Sequence, residues 1–190
     1  MSVKQIDKLL NGLVILVVDD NPYSRKLLRM MLINLGAKSI YEASDGVSAL
    51  DLVRTADPDV MILDWEMPVL SGAQVVRIIR SPGVFPRPNL PIIMLSAHGQ
   101  RARVMAALKL GINEFLVKPV SPKALQDRLV SVLVNPRPMM LIGGKHYVPQ
   151  PRRLRGVPSS YSLGAGMGGP VYGQDPAGSA KVAVSTTCVK

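Results

Sequence analysis

Leu13-Val14-Ile15-Leu16-Val17-Val18-Asp19-Asp20-Asn21-Pro22 is the stretch from which the fold can be read. Its six aliphatic residues show no alternation, which describes a strand covered on both faces, as a central strand of a parallel sheet must be. Asn21 can cap a helix, and Pro22 can take the first helical position, where a missing N–H leaves nothing unpaired. The helix then runs to Leu35 and stops at Gly36. Its Leu27, Leu28, Met31, Leu32 and Leu35 recur at helical spacing and are expected to cover the sheet, with Arg25, Lys26 and Arg29 outward.

The same strand, turn and helix unit recurs downstream. A shorter strand is expected near Ser39–Tyr41, followed by a helix over about 46–54. Asp57-Pro58 announces a strand at Val60–Leu63, and a helix covers about 72–80. A proline-rich loop over 81–88 leads to a strand at Ile92–Leu95 and to a helix over 101–110 that stops at Gly111. The last unit has a strand at Glu114–Val117 and a helix opened by Ser121 and Pro122, with Leu125, Leu129, Val132 and Leu133 inward. Five such units predict an α/β domain with a doubly wound, five-stranded parallel sheet.

Polar residues mark the carboxyl ends of four of these strands: Asp19 and Asp20, Asp64, Ser96, and Lys118. In a parallel sheet those ends lie side by side, so three carboxylates, a hydroxyl and an ammonium would meet in one pocket. Two carboxylates about 4 Å apart repel by roughly 4 kcal/mol at an effective dielectric of 20. A divalent cation relieves this, and Mg²⁺ prefers the oxygen ligands that Asp19, Asp20 and Asp64 offer. Lys118 and the Ser96 hydroxyl could each hold a phosphoryl oxygen, so the set suits acceptance of a phosphoryl group, a reaction governed by positioning and charge.

Composition narrows the alternatives. Of the net charge of +10, residues 135–190 carry +6, with 7 Lys/Arg against 1 Asp/Glu, so an acidic partner is to be sought there. The same segment holds 9 Gly and 7 Pro and is expected to be a disordered basic tail. The single cysteine, Cys188, excludes an internal disulfide, and with His98 and His146 as the only histidines a structural zinc is not expected. No apolar run approaches the roughly 18–20 residues needed to cross a bilayer, and the start lacks the apolar stretch of a signal peptide, so a cytoplasmic protein without membrane insertion is expected. The glycines of 164–169 satisfy a dinucleotide-binding spacing, but no strand precedes them and no helix follows, so they read as a flexible linker. Arg152-Arg153-Leu154-Arg155 is too short to predict specific nucleic-acid binding.

Four motifs in order, Val17-Val18-Asp19-Asp20-Asn21, Met61-Ile62-Leu63-Asp64-Trp65-Glu66-Met67-Pro68 with Gly72, Ile93-Met94-Leu95-Ser96-Ala97-His98 and Phe115-Leu116-Val117-Lys118-Pro119, make the chain resemble the receiver domain of bacterial two-component response regulators. The resemblance covers about residues 12–134, after an N-terminal lead-in at 1–11. It implies a flavodoxin-like sheet of order 2-1-3-4-5, Asp64 as phosphoacceptor, Mg²⁺ held by Asp19, Asp20, Asp64 and the Glu66 backbone carbonyl, and phosphate contacts from Ser96 and Lys118. It also implies a switch pair of Ser96 and Phe115 and a cis Lys118–Pro119 bond. Ser96 replaces a frequent Thr and Phe115 a frequent Tyr, so phosphorylation is expected to survive while switching differs in detail. Glu66 and His98, two residues beyond Asp64 and Ser96, are candidates for tuning the phosphoryl lifetime.

The expectation from these readings is a stand-alone, chemotaxis-regulator-like receiver. It would accept its phosphoryl group from a sensor histidine kinase or histidine phosphotransfer protein. It would signal through an output protein at the face of helix four, strand five and helix five. It is not expected to be a turnover enzyme; its chemistry is its own Mg²⁺-dependent phosphorylation and dephosphorylation. Two alternatives stay open: a nucleic-acid-binding regulator acting through the basic tail, and a phosphate sink without effector output.

Overall fold

The computed structural model describes residues 8–151. Five parallel strands, β1 (Val14–Val18), β2 (Ser39–Ala43), β3 (Val60–Asp64), β4 (Ile92–Ser96) and β5 (Glu114–Val117), form one sheet in the order β2-β1-β3-β4-β5. Helices α1 (Pro22–Asn34), α2 (Gly46–Thr55), α3 (Gly72–Arg80), α4 (Arg101–Leu110) and α5 (Pro122–Val134) follow the strands in turn. Strand side chains alternate between two cores, as their twofold period requires. Ile15, Val17, Ile62 and Ile93 pack with Leu28 and Leu32 of α1 and Leu125 and Leu129 of α5. Leu16, Val18, Met61, Leu63 and Met94 pack with α2, α3 and Ala107 of α4 on the other face.

Local signals set the helix starts. The Asn21 side chain accepts from the Tyr23 and Ser24 N–H groups at 2.9 and 3.3 Å, with Pro22 in the first turn. Ser71 and Gln74 form a reciprocal capping box at α3. Ser121 accepts from the Ala124 N–H at α5. Gly111, at φ 100°, ends α4 in the left-handed conformation that glycine adopts freely. The Lys118–Pro119 bond is cis.

Three expectations need correction. Leu27 does not cover the sheet: it is 51% exposed, and with Tyr23, Met30 and Ile33 it gives α1 a second, solvent-facing apolar stripe. The buried face centres on Leu28 and Leu32, and Leu27 stands about 100° around the helix from Leu28. Leu10, assigned to the lead-in, is fully buried in the core beside α1 and α5, so the domain begins earlier than residue 12.

The third correction concerns the boundary drawn at Asn135. Residues Met139–Ile142 (β6) and His146–Pro149 (β7) pair as an antiparallel hairpin, and the compact unit extends through Gln150. Gly143 and Gly144 both have positive φ, the mirror-image turn geometry that hairpins favour, and the Lys145 N–H closes the turn on the Ile142 carbonyl at 3.0 Å. The hairpin seats on the ends of α3 and α4. There His146 Nε2 meets the Lys109 carbonyl at 3.1 Å and Arg137 donates to the Asn113 carbonyl. A Cβ on Gly111 would lie 2.4 Å from the Tyr147 carbonyl oxygen, so only glycine allows this seating. Arg152-Arg153-Leu154-Arg155, the glycines of 164–169 and Cys188 lie outside the described residues. No helix among the described residues is long and apolar enough to cross a membrane.

Beneath the hairpin lies Arg80, fully buried at the end of α3. Its guanidinium donates to the carbonyls of Gly111 at 2.8 Å, Pro88 at 2.6 Å and Leu90 at 2.8 Å, and to the Asn113 side-chain oxygen at 3.1 Å. Burial pulls its pKa down to about 9, which leaves it charged at neutral pH. Four acceptors without a carboxylate compensate that buried charge and tie α3, the loop before β4 and the turn before β5 together. Arg80→Ala is expected to cost on the order of 3–5 kcal/mol, from lost packing and stranded carbonyls, read as a shift of the urea midpoint; a change under about 1 kcal/mol would refute the structural role. Separately, a chain ending at Val134 should unfold at lower urea than one ending at Gln150, and equal midpoints would mean that the hairpin adds no stability.

Candidate functional site

The carboxyl ends of β1, β3, β4 and β5 bring the sequence-predicted residues together. Asp19 follows β1, Asp64 ends β3, Ser96 ends β4 and Lys118 follows β5. Lys118 Nζ lies 2.7 Å from Asp19 Oδ2 and 2.9 Å from Asp64 Oδ1. Asp19 is fully buried, Asp64 nearly so, and Asp20 is exposed at the mouth. One carboxylate oxygen from each of the three lies within 4.8 Å of the others.

Backbone geometry orients these groups. Asp19 Oδ1 accepts from the Asn21 N–H at 2.9 Å, so its two oxygens are committed to the loop and to Lys118. Arg25 donates to the Asp19 carbonyl at 2.6 Å, which makes it part of the support under the site as well as a surface charge. The Lys118 N–H donates to the Ser96 carbonyl at 2.8 Å. A Cβ on Gly72 would lie 2.1 Å from the Asp64 carbonyl oxygen, so the start of α3 can approach the end of β3 only with glycine there.

The electrostatics are unbalanced by design of the pocket. Burial raises the Asp64 pKa, Lys118 pulls it back, Asp19 raises it further, and the net is upward from the ordinary carboxylate value of 3.8. Burial pulls the Lys118 ammonium down, but Asp19 and Asp64 more than offset this, and it titrates above the ordinary lysine range. Three carboxylates against one ammonium leave room for a hard dication, and an all-oxygen donor set fits Mg²⁺.

Ser96 is fully buried, and its hydroxyl oxygen accepts from the His98 N–H at 3.1 Å. Phe115 is half-buried against the core shared with α3 and α4, on the strand whose Val117 pairs with Ser96. At the rim, the Glu66 carboxylate turns to His98 Nδ1 at 3.3 Å and to Arg103 of α4, and the Arg103 guanidinium lies 4.4 Å over the Trp65 ring. Sequence reading named Glu66, His98 and Trp65 but not Arg103. Nothing in the spacing of α4 distinguishes Arg103 from Arg101; only the fold shows which one reaches the site.

Fold and site together describe a doubly wound α/β domain with a cation-ready acidic pocket at the carboxyl edge of its sheet. Over residues 15–130 the chain matches the family model of the response regulator receiver domain, and it belongs to that family. It is 40% identical over 120 residues to the chemotaxis protein CheY1 of Helicobacter pylori, covering 63% of this chain and 95% of that one. The receiver domain of the sensor histidine kinase PA1611 of Pseudomonas aeruginosa, solved with a magnesium ion coordinated in its active site cleft, matches with a TM-score of 0.57 and 30% identity. The match covers 65% of this chain and 98% of that domain. The CheY of a CheX–CheY–BeF₃–Mg²⁺ complex from Borrelia burgdorferi matches with a TM-score of 0.60 and 28% identity, over 67% of this chain and 97% of that one.

The raised Asp64 pKa carries a stability consequence. A carboxyl whose folded pKa exceeds its unfolded value destabilises the native state once ionised. That cost is absent below the unfolded value and develops as pH rises through the folded one. In metal-free buffer at neutral pH, Asp64→Asn should therefore melt above the unmodified protein, with the advantage vanishing below about pH 4. A lower melting temperature for the variant across the whole range would contradict the electrostatic reading.

Proposed function

We propose that the protein is a stand-alone response regulator of a phosphorelay, which accepts a phosphoryl group on Asp64 and answers by changing its protein contacts. The observation that carries this reading is the position of Lys118, held between Asp19 and Asp64 at hydrogen-bond distance from both. The near-complete coverage of the chemotaxis relative supports the stand-alone form.

In this reading an Asp64 oxygen attacks the phosphorus of a phosphohistidine on a sensor kinase or phosphotransfer protein. The P–N bond breaks, the imidazole leaves, and an acyl phosphate forms. Asp19, Asp20, Asp64 and the Glu66 backbone carbonyl would hold Mg²⁺, and the ion would supply positive charge against the crowded phosphoryl oxygens. Lys118 turns from Asp64 to a phosphoryl oxygen, and Ser96 donates its hydroxyl to another. Water later cleaves the acyl phosphate, with Glu66, His98 and the Arg103 contact controlling entry at the rim. The protein is thus its own substrate rather than a turnover enzyme.

The donor would dock on α1. Tyr23, Leu27, Met30 and Ile33 expose an apolar stripe there, and a cavity of about 390 Å³ lined by Leu27, Met31, Lys118 and Pro119 opens beside the site. The output contact belongs to the α4, β5 and α5 face, where Val117 is exposed and Phe115 can respond to Ser96. A cytoplasmic setting follows from a kinase as donor.

Asp64→Asn should abolish Mg²⁺-dependent labelling by acetyl phosphate, and undiminished, acid-stable label on the variant would refute the acceptor. Asp20→Ala should weaken Mg²⁺ binding at least tenfold in a fluorescence or calorimetric titration, and unchanged affinity would move the metal elsewhere. Ser96→Ala should leave Asp64 able to take label but remove phosphorylation-dependent capture of the output partner. Full phosphorylation-dependent capture by that variant would sink the Ser96–Phe115 switch.

A further inference from the structure

At the edge of the sheet opposite Asp64, the ends of α3 and α4 meet the β6–β7 hairpin around an open cavity of about 320 Å³. It is lined by Arg77, Ser81, Lys109, Leu110, Lys145 and His146. Three cations, an imidazole and a hydroxyl face one volume with no carboxylate in the lining. None of Arg77, Lys109 and Lys145 joins any ion pair found among the described residues.

Helix dipoles account for part of this cluster. Arg77 and Lys109 stand in the last turns of α3 and α4, where cations are favourable at the carbonyl end. Lys145 has no such reason to be there. The Gly143-Gly144 turn brings it to two like charges, and His146 is fixed beside it by the bond from its ring to the Lys109 carbonyl. An arrangement that gathers like charges around a concavity of ligand size is one that an anion would stabilise.

We infer that the hairpin completes a binding site for a small phosphorylated ligand carrying a diphosphate group, at the end of the domain remote from Asp64. The Arg77 fork and two lysine point charges suit the several oxygens of a diphosphate, while the Ser81 hydroxyl donates to the Arg77 carbonyl at 2.7 Å and His146 to the Lys109 carbonyl, which holds the wall of the cavity in place. The concavity favours a small anion over a flat acidic protein surface. This site is independent of the reading of Asp64.

The test uses the full chain, in metal-free buffer so that the acidic pocket does not collect the anion through a cation. Pyrophosphate and ADP are titrated separately, followed by amide NMR shifts and calorimetry. Saturable binding with the largest shifts at Arg77, Lys109, Lys145 and His146 supports the proposal. Equal affinity for both ligands assigns recognition to the diphosphate alone, and tighter ADP binding adds a nucleoside contact. Lys145→Glu, in an exposed turn, should weaken binding at least tenfold. Lys38→Glu, the same charge change at an exposed position before β2, should stay within twofold. Equal losses in the two variants would reduce the effect to overall charge and overturn the site. Shifts centred on Lys118 or on residues 152–190 would also overturn it, as would binding of a single-stranded oligonucleotide without binding of pyrophosphate.

Discussion

One ammonium group carries the functional geometry of this domain. Lys118 Nζ reaches Asp19 and Asp64, which lie 99 and 54 positions earlier in the chain, and it does so where little water reaches them. That contact is possible only because β1, β3 and β5 run parallel and end at one edge, and because β4 between β3 and β5 ends in a small side chain, Ser96. The two hydrophobic cores, the side-chain caps of α1, α3 and α5 and the close approach at Gly72 serve to hold these ends in register. The sheet is therefore less a scaffold with a site attached than the means by which distant carboxylates are forced together.

Forcing them together has a cost that the protein leaves unsettled. Lys118 compensates one negative charge among three, and the Asp64 carboxyl remains above its ordinary range because burial and Asp19 outweigh the ammonium. A site fully neutralised by side chains would be more stable and less reactive. The residual negative charge suits a hard cation, and the commitment of Lys118 to two partners suits its transfer to a phosphoryl oxygen. Stability and function oppose each other here in the way expected of sites that hold charge out of water.

The units and their edges were legible in the sequence because their signals are local. An aliphatic run, an Asn-Pro cap or a glycine stop acts within a few residues, and the observed strands and helices fall within one or two residues of those marks. The sheet order rested instead on the family resemblance carried by four motifs, and the structure bears it out. Leu27 was misplaced because a helical stripe has two flanks, and sequence spacing does not say which flank meets the sheet. The hairpin at 139–149 was hidden by averaging over a segment rich in glycine and proline. Its own signal was there: two apolar runs, Met139-Met140-Leu141-Ile142 and Tyr147-Val148, separated by a Gly-Gly turn. Arg80 and Arg103 were not legible at all, since arginines on amphipathic helices ordinarily face solvent and only tertiary contact reveals that one is buried among carbonyls and the other reaches Glu66.

These two arginines also divide the helices by how firmly they are held. Arg80 anchors the end of α3 with four hydrogen bonds in the interior. Helix α4 has no side-chain cap at Gln100 and buries only Ala107 completely, with Leu108 and Leu110 packed partly buried against the same core, so the flanking contacts add to a thin apolar attachment. At the end near Asp64 that contact is Arg103 on Glu66 and Trp65; at the far end it is the Lys109 carbonyl on His146 of the hairpin. With one fully buried residue where every other helix of the domain has two or more, α4 is the helix that can shift with the fewest fully buried contacts remade. Under the proposed reading, charge added at Asp64, two residues before Glu66, would bear on the Arg103 tie. The element least secured by the core is thus the one whose remaining ties run to the acidic site at one end and to the hairpin at the other.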